Sequence, residues 1–180
     1  MKKLFLFFAI SVFCTLSAAP GKALVVYFSW SDSGNTRQLA RIIAANTNAD
    51  LEELIPVTPY SRNYKEVLIR GKKELKSTKA SPVKALKHDL SKYDIIFVGT
   101  PIWFATFAPP VRSFLQQNDL KGKKVYFFCT HGKGGAGHFF KDAAQYSPGA
   151  KIGRNFSCYG IQVKKIDPKV KEWLKKNVKQ

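Results

Sequence analysis

Paired cysteines, acidic residues and long hydrophobic runs are all scarce in this chain. Three cysteines in 180 residues are too few for a disulfide scaffold, and they lack the paired spacing of zinc ligands. Nine prolines and twelve glycines, with no fixed-period repeat or low-complexity tract, exclude collagen, solenoid and mucin-like architectures. There is no G-x-S-x-G elbow, no HExxH pair and no Walker A sequence, so three common enzyme signatures are missing. Acid is scarcest of all: 12 Asp and Glu stand against 30 Lys and Arg, a formal charge of +18. What remains is 45% hydrophobic and 13% aromatic, enough for a packed core in a single domain.

The one sustained apolar stretch comes first. Lys2 and Lys3 precede Leu4–Leu16, and Ser17, Ala18 and Ala19 follow as small residues suited to a signal peptidase. The run is well short of the ~20 residues needed to span a bilayer. Residues 1–19 are therefore expected to be a signal peptide and 20–180 the folded domain, which places the protein in the periplasm or outside the cell, without stable membrane insertion. Cys14 makes a poor lipoprotein site because bulky Phe13 precedes it.

Beyond the leader, strand-like and helix-like segments alternate. Ala23–Phe28, Ile95–Val98 and Val125–Cys129 are short apolar runs without alternation, as expected of strands covered on both faces. Leu51–Val57 reads as a weaker strand, and Ile152–Val163 holds a fifth, irregular one. Helices are expected from Asn35 to about Asn46, from Tyr64 to about Lys76, after Pro109, around Phe139–Tyr146 and after Asp167. In the second of these, Tyr64, Val67, Leu68 and Leu75 are expected to face inward. Five strand–helix units imply a parallel sheet with helices on both faces. Ligands of such sheets bind at the carboxyl ends of the strands. Three loops therefore matter.

The first, Ser29-Trp-Ser-Asp-Ser-Gly-Asn-Thr36, joins a strand to a helix. Helix N-termini offer unpaired N–H groups and partial positive charge, so a hydroxyl-rich loop there suits a phosphate. The same residue types also cap helices with no ligand present. The second, Thr100–Pro110, carries Trp103, Phe104 and Phe107 without helical or strand period, as a stacking surface for a flat ligand or a satellite core would. The third, Thr130–His138, satisfies G-x-G-x-x-G with Gly132, Gly134 and Gly137. That fingerprint belongs after the first strand, however, and no acid lies between Asp142 and Asp167 to bind a ribose. It reads better as a loop whose backbone approaches a ligand closely.

The first loop resembles the FMN-phosphate loop of the flavodoxin family. Ser29, Ser31, Ser33, Gly34, Asn35 and Thr36 match its alternating hydroxyls and Gly-Asn-Thr, while Asp32 fills its variable place and departs mildly from it. Pro101, Ile102, Trp103 and Phe104 resemble the family's loop against the isoalloxazine ring, in the form of a secreted short-chain group. Thr130, His131, Gly132 and Gly134 resemble its third ligand loop. The resemblance runs from Lys22 to the last helix. It implies an α/β three-layer sandwich with a five-stranded parallel sheet in the order 2-1-3-4-5. It also implies noncovalent FMN that accepts and passes electrons.

Three functions are compatible with these residues. The leading expectation is an electron carrier with redox partner proteins. The alternatives are an FMN-dependent NAD(P)H oxidoreductase of the quinone reductase type, and a cofactor-free basic binding module. No residue is assigned a catalytic role and no metal ligands are expected. Lysines crowd residues 62–88 and 164–180, which favours acidic partners, whereas a secreted location removes most encounters with nucleic acid. The protein is expected to be a monomer or weak dimer. Cys129 and Cys158 stand on neighbouring strands and are expected to be separately buried thiols; His88 and His138 are expected at the surface.

Overall fold

A computed structural model describes residues 21–178, so the leader expected at 1–19 lies outside the described residues. In chain order the elements are Ala23–Tyr27 (β1), Asn35–Thr47 (α1), Asp50–Glu53 (β2), Tyr64–Lys76 (α2), Ile95–Trp103 (β3), Thr106–Phe107 (β4), Pro109–Gln117 (α3), Lys124–His131 (β5), Phe139–Gln145 (α4), Lys151–Ile152 (β6), Phe156–Tyr159 (β7) and Asp167–Asn177 (α5). Short 3-10 turns lie at Leu90–Lys92 and Gly160–Lys165.

β1 is buried along its whole length, as its unbroken apolar run requires. It pairs in parallel with β2 on one side and β3 on the other, placing Val25 between Leu51 and Phe97. β3 pairs in parallel with β5. The order is β2-β1-β3-β5, with β6 on the start of β5 and β7 on its end. The expected five-strand order is thus present, with the fifth strand in two pieces. Between those pieces, Phe127 N–H donates to the Asn155 side chain at 3.2 Å instead of to a neighbouring backbone carbonyl. A side chain has taken one rung of the ladder.

Alternation along the strands sends their side chains to two layers. Val25, Tyr27, Phe97, Tyr126 and Phe128 meet Leu39, Ile43, Val170, Trp173 and Leu174 of α1 and α5. Leu24, Val26, Ile96, Val98 and Phe127 meet Val67, Val111, Phe114 and Phe139 of α2, α3 and α4. The same alternation separates the thiols. Cys129 lies opposite Ser157, and Thr130 opposite Cys158, so the two cysteines point to opposite faces of the sheet. Both are free and buried, and burial pushes both thiols up, Cys158 to about 11.

Two expectations change. α2 buries Val67 and Gly71, while Tyr64 is 64% and Leu68 37% exposed. The helix is turned because Gly71 presents a flat spot: a Cβ there would lie 3.1 Å from the Trp103 ring. His88 is half-buried rather than exposed; its Nδ1 lies 2.6 Å from the buried Glu52 carboxylate, which also accepts the Lys87 and His88 N–H groups. Among the described residues, no helix is long and apolar enough to cross a membrane.

Arg112 joins α3 to α2. Only 4% exposed, it donates to the carbonyls of Leu75 and Ser77 through Nη1, at 3.1 and 2.9 Å, and of Glu74 and Lys79 through Nη2, at 2.6 and 3.2 Å. These carbonyls lie at or just beyond the negative end of α2, where a cation is favoured. Replacing Arg112 by Met is expected to cost about 3 kcal/mol, because it strands buried carbonyls. Lys should recover only part, since an ammonium cannot reproduce the planar fork. Urea unfolding of the three proteins measures this.

Candidate functional site

The carboxyl ends of β1, β3 and β5 bring the three loops together. Gly34 starts α1 in the left-handed region, with φ 58°, and its N–H closes a turn onto Ser31 O at 2.8 Å. No side chain caps α1, and its first turn holds no acid. Ser31 and Ser33 are exposed with their hydroxyls 3.0 Å apart, and Gln38 Nε2 steadies the turn by donating to Ser33 O at 2.5 Å. Unpaired amides and two exposed hydroxyls make this a place for an anion. Ser29 is half-buried at the loop's start, and Asn35 packs onto Gly160.

Thr36 has a different setting. It is buried, and its hydroxyl lies 2.7 Å from that of Thr130. This bond ties the first loop to the third. Asp32 turns its carboxylate into water and pairs with Arg62 at 2.6 Å. Sequence reasoning missed both Arg62 and Trp30. The Trp30 indole N–H donates to Ser61 O at 3.0 Å, and its ring centroid lies 6.1 Å from that of Trp103. A tryptophan inside a hydroxyl-rich loop was the available signal.

Thr100–Pro110 is a hairpin more than a loop. β3 runs on through Pro101 and Ile102 to Trp103, then returns as β4, with Trp103 opposite Thr106. Phe104 and Ala105 form the tip with φ 50° and 62°. A two-residue hairpin needs positive φ at both positions, which normally selects Asn and Gly. The aromatics divide. Trp103 packs edge-on to Phe28, Trp30 and Tyr60, with centroids 5.8, 6.1 and 5.1 Å away. Phe104 is 43% exposed at the tip. Phe107 is core, against Phe139 and Tyr146, because β4 turns it inward. Tyr60 anchors the cluster: its hydroxyl bonds to Glu74 and the Arg70 guanidinium lies 4.0 Å over its ring. Burial and the Glu74 carboxylate push the Tyr60 phenol far above its ordinary range.

In the third loop, the His131 ring stacks on Tyr159 at 6.4 Å, and its Nδ1 lies 2.7 Å from Gly132 O. Tyr159 was not foreseen. Gly132, Lys133 and Gly134 are exposed, and the Cβ positions of both glycines face open space. Gly137 makes the close approach. With φ 57°, it lets Ala105 O come within 2.1 Å of where a Cβ would sit, and His138 N donates to that oxygen at 2.8 Å. Of the three spaced glycines, Gly137 therefore serves a backbone contact between loops, while Gly132 and Gly134 stay open. His138 is exposed, as expected, and its ring bonds to Asp142, which also accepts from Thr106 at 2.5 Å.

A family model described as flavodoxin matches residues 22–177. Among solved structures, a candidate flavoprotein of Bacteroides eggerthii is similar, with a TM-score of 0.76 and 23% identity over 89% of this chain and 99% of that one. A candidate flavoprotein of Bacteroides uniformis has a TM-score of 0.74 and 25% identity, over 87% and 99%. A Lactobacillus acidophilus flavoprotein in complex with FMN has a TM-score of 0.65 and 22% identity, over 81% and 97%. No curated protein matches the chain.

The hairpin tip carries measurable strain. A left-handed conformation costs an L-residue roughly 1–2 kcal/mol, which glycine avoids at some entropic cost. Ala105→Gly should therefore stabilise the protein by about 0.5–1 kcal/mol in thermal denaturation, whereas Gly137→Ala should destabilise it by more than that.

Proposed function

Because the chain belongs to the flavodoxin family, we propose that it binds FMN noncovalently and carries electrons between redox partner proteins. The observation that carries this reading is the uncapped, acid-free first turn of α1 beside the exposed Ser31 and Ser33 hydroxyls, next to an aromatic hairpin. A phosphate and a flat ring are what those two surfaces suit. In this reading Ser29, Ser31, Ser33, Gly34, Asn35 and Thr36 build the phosphate loop, with Asp32 contributing only its backbone N–H. Pro101, Ile102, Trp103 and Phe104 line one side of the ring; Thr130, His131, Gly132 and Gly134 line its edge. When bound, FMN supplies the redox chemistry. The chain's part is to hold the cofactor, exclude water with Trp30 and Trp103, and keep the three loops in register through the Thr36–Thr130 and Ala105–His138 bonds.

A carrier is favoured over an NAD(P)H oxidoreductase because Gly137, the third glycine of the loop, is spent on the approach to Ala105 rather than on a dinucleotide. Partners should be acidic. Tyr64, 6.4 Å from the Trp30 ring, and Phe104, packed against Gly71, are exposed beside the site, and Arg62, Lys65 and Lys72 lie in or just before the same helix. An apolar spot with a basic rim fits a partner whose contact patch is ringed by carboxylates. We place this carrier in the periplasm or outside the cell on the strength of the Lys2–Ala19 leader pattern, and propose that it is a monomer or weak dimer.

Calorimetry of the refolded apoprotein should show one FMN per chain. Ser31→Ala with Ser33→Ala should weaken FMN about tenfold or more, at about 1 kcal/mol per lost hydrogen bond, and riboflavin far less. A protein that ignores FMN overturns the reading and leaves the basic binding module. In stopped-flow, NADH and NADPH should bleach the flavin slowly or not at all without a reductase. Fast bleaching by either favours the oxidoreductase.

A further inference from the structure

Two arginines reach the Ser29–Thr36 loop, and they differ in how firmly they are held. The Arg37 Nη1 atom lies 3.5 Å from the Cβ position of Gly34, but its guanidinium is committed to Glu53 by bonds of 3.3 and 2.8 Å. Arg62 stands in water. Its Nη1 donates to Asp32 Oδ1 at 2.6 Å and to Trp30 O at 3.2 Å, and the paired side chains are 74% and 90% exposed. The segment that carries it is fixed: Ser61 O accepts the Trp30 indole N–H, Ser61 Oγ accepts Asn63 N–H, and Asn63 caps α2 by accepting from Lys65 and Glu66 N–H.

Asp32 is the weak point of a phosphate loop. It sits between Ser31 and Ser33, one residue from each hydroxyl, and successive Cα atoms are only about 3.8 Å apart. A bare carboxylate at that range repels a phosphate dianion through water. We propose that Arg62 is what makes the loop accept the dianion. It cancels Asp32, turns the carboxylate away from the Ser31 and Ser33 hydroxyls, and sets the preference for a phosphorylated flavin over an unphosphorylated one. This rests on the FMN reading above and assigns within it a specificity-determining residue outside the loop itself. The residue is delivered by the segment leading into α2, the helix whose Gly71 backs Trp103. The phosphate side and the ring side of the site are therefore positioned by one element.

The test is titration of apoprotein with FMN and with riboflavin, at low salt and at about 0.5 M salt, where screening shortens the reach of exposed charges to a few Å. The proteins are the wild type, Arg62→Ala, Asp32→Asn and the double variant, each first shown by thermal melting to be folded. Arg62→Ala should weaken FMN about tenfold and riboflavin less than twofold, and high salt should erase most of that difference. Asp32→Asn with Arg62→Ala should recover most of the lost FMN affinity, because the repelling charge has gone. Equal weakening of both flavins, or no recovery in the double variant, overturns the assignment and leaves Arg62 as a structural clasp. If the wild type binds neither flavin, the FMN reading itself is overturned; if it binds FMN and Arg62→Ala binds it equally well, only the Arg62 assignment falls.

Discussion

A guanidinium shut away from water sets the geometry of one whole side of this protein. Among the described residues, Arg112 has no carboxylate hydrogen-bond partner and its Nε has none at all; four carbonyls at and beyond the end of α2 hold its charge. Burying a cation in this way is costly unless its donors are met, and a helix C-terminus supplies oriented carbonyls and partial negative charge together. That bond set ties the end of α2 to α3, alongside the packing of Val67 and the Glu74 bond to Tyr60. α2 in turn decides how Trp103 and Phe104 lie, through Gly71, and where Arg62 stands, through the cap at Asn63. A residue on α3 thus holds the far end of the helix whose start and middle border the site.

Much of the fold was legible from apolar runs alone. β1, the core of β3 and β5 were placed because strands buried on both sides leave continuous hydrophobic text. α2 was bounded correctly, yet its inward face was not, since counting apolar residues cannot register that a glycine is the point of contact. β4 was invisible because it is two residues long and its turn uses Phe and Ala, where turn chemistry predicts Asn and Gly. At the break in the fifth strand the Asn155 side chain meets Phe127 N–H, a contact with no sequence signature.

Legibility in the site divides in the same way. The hydroxyls of the first loop could be read because phosphate chemistry asks for those residue types at a helix start. The roles of Thr36 with Thr130, of Asp32 with Arg62, and of Gly137 with Ala105 could not, because each joins residues about thirty or more apart. Phe107 was grouped with Trp103 and Phe104 by proximity in the chain, and a two-residue return strand was enough to send it into the core. The contacts that hold the three loops together are almost all non-local, and a linear reading has no access to those.

Cys129 and Cys158 are separated by the thickness of one sheet, with their side chains in different layers of the core. No rotation of either side chain can bring the sulfurs together without pulling a strand out of register. The native chain therefore has no intramolecular cross-link to gain or lose with these two residues. A pairing of the two in the unfolded chain would have to be reduced before β5 and β7 could align in their native register.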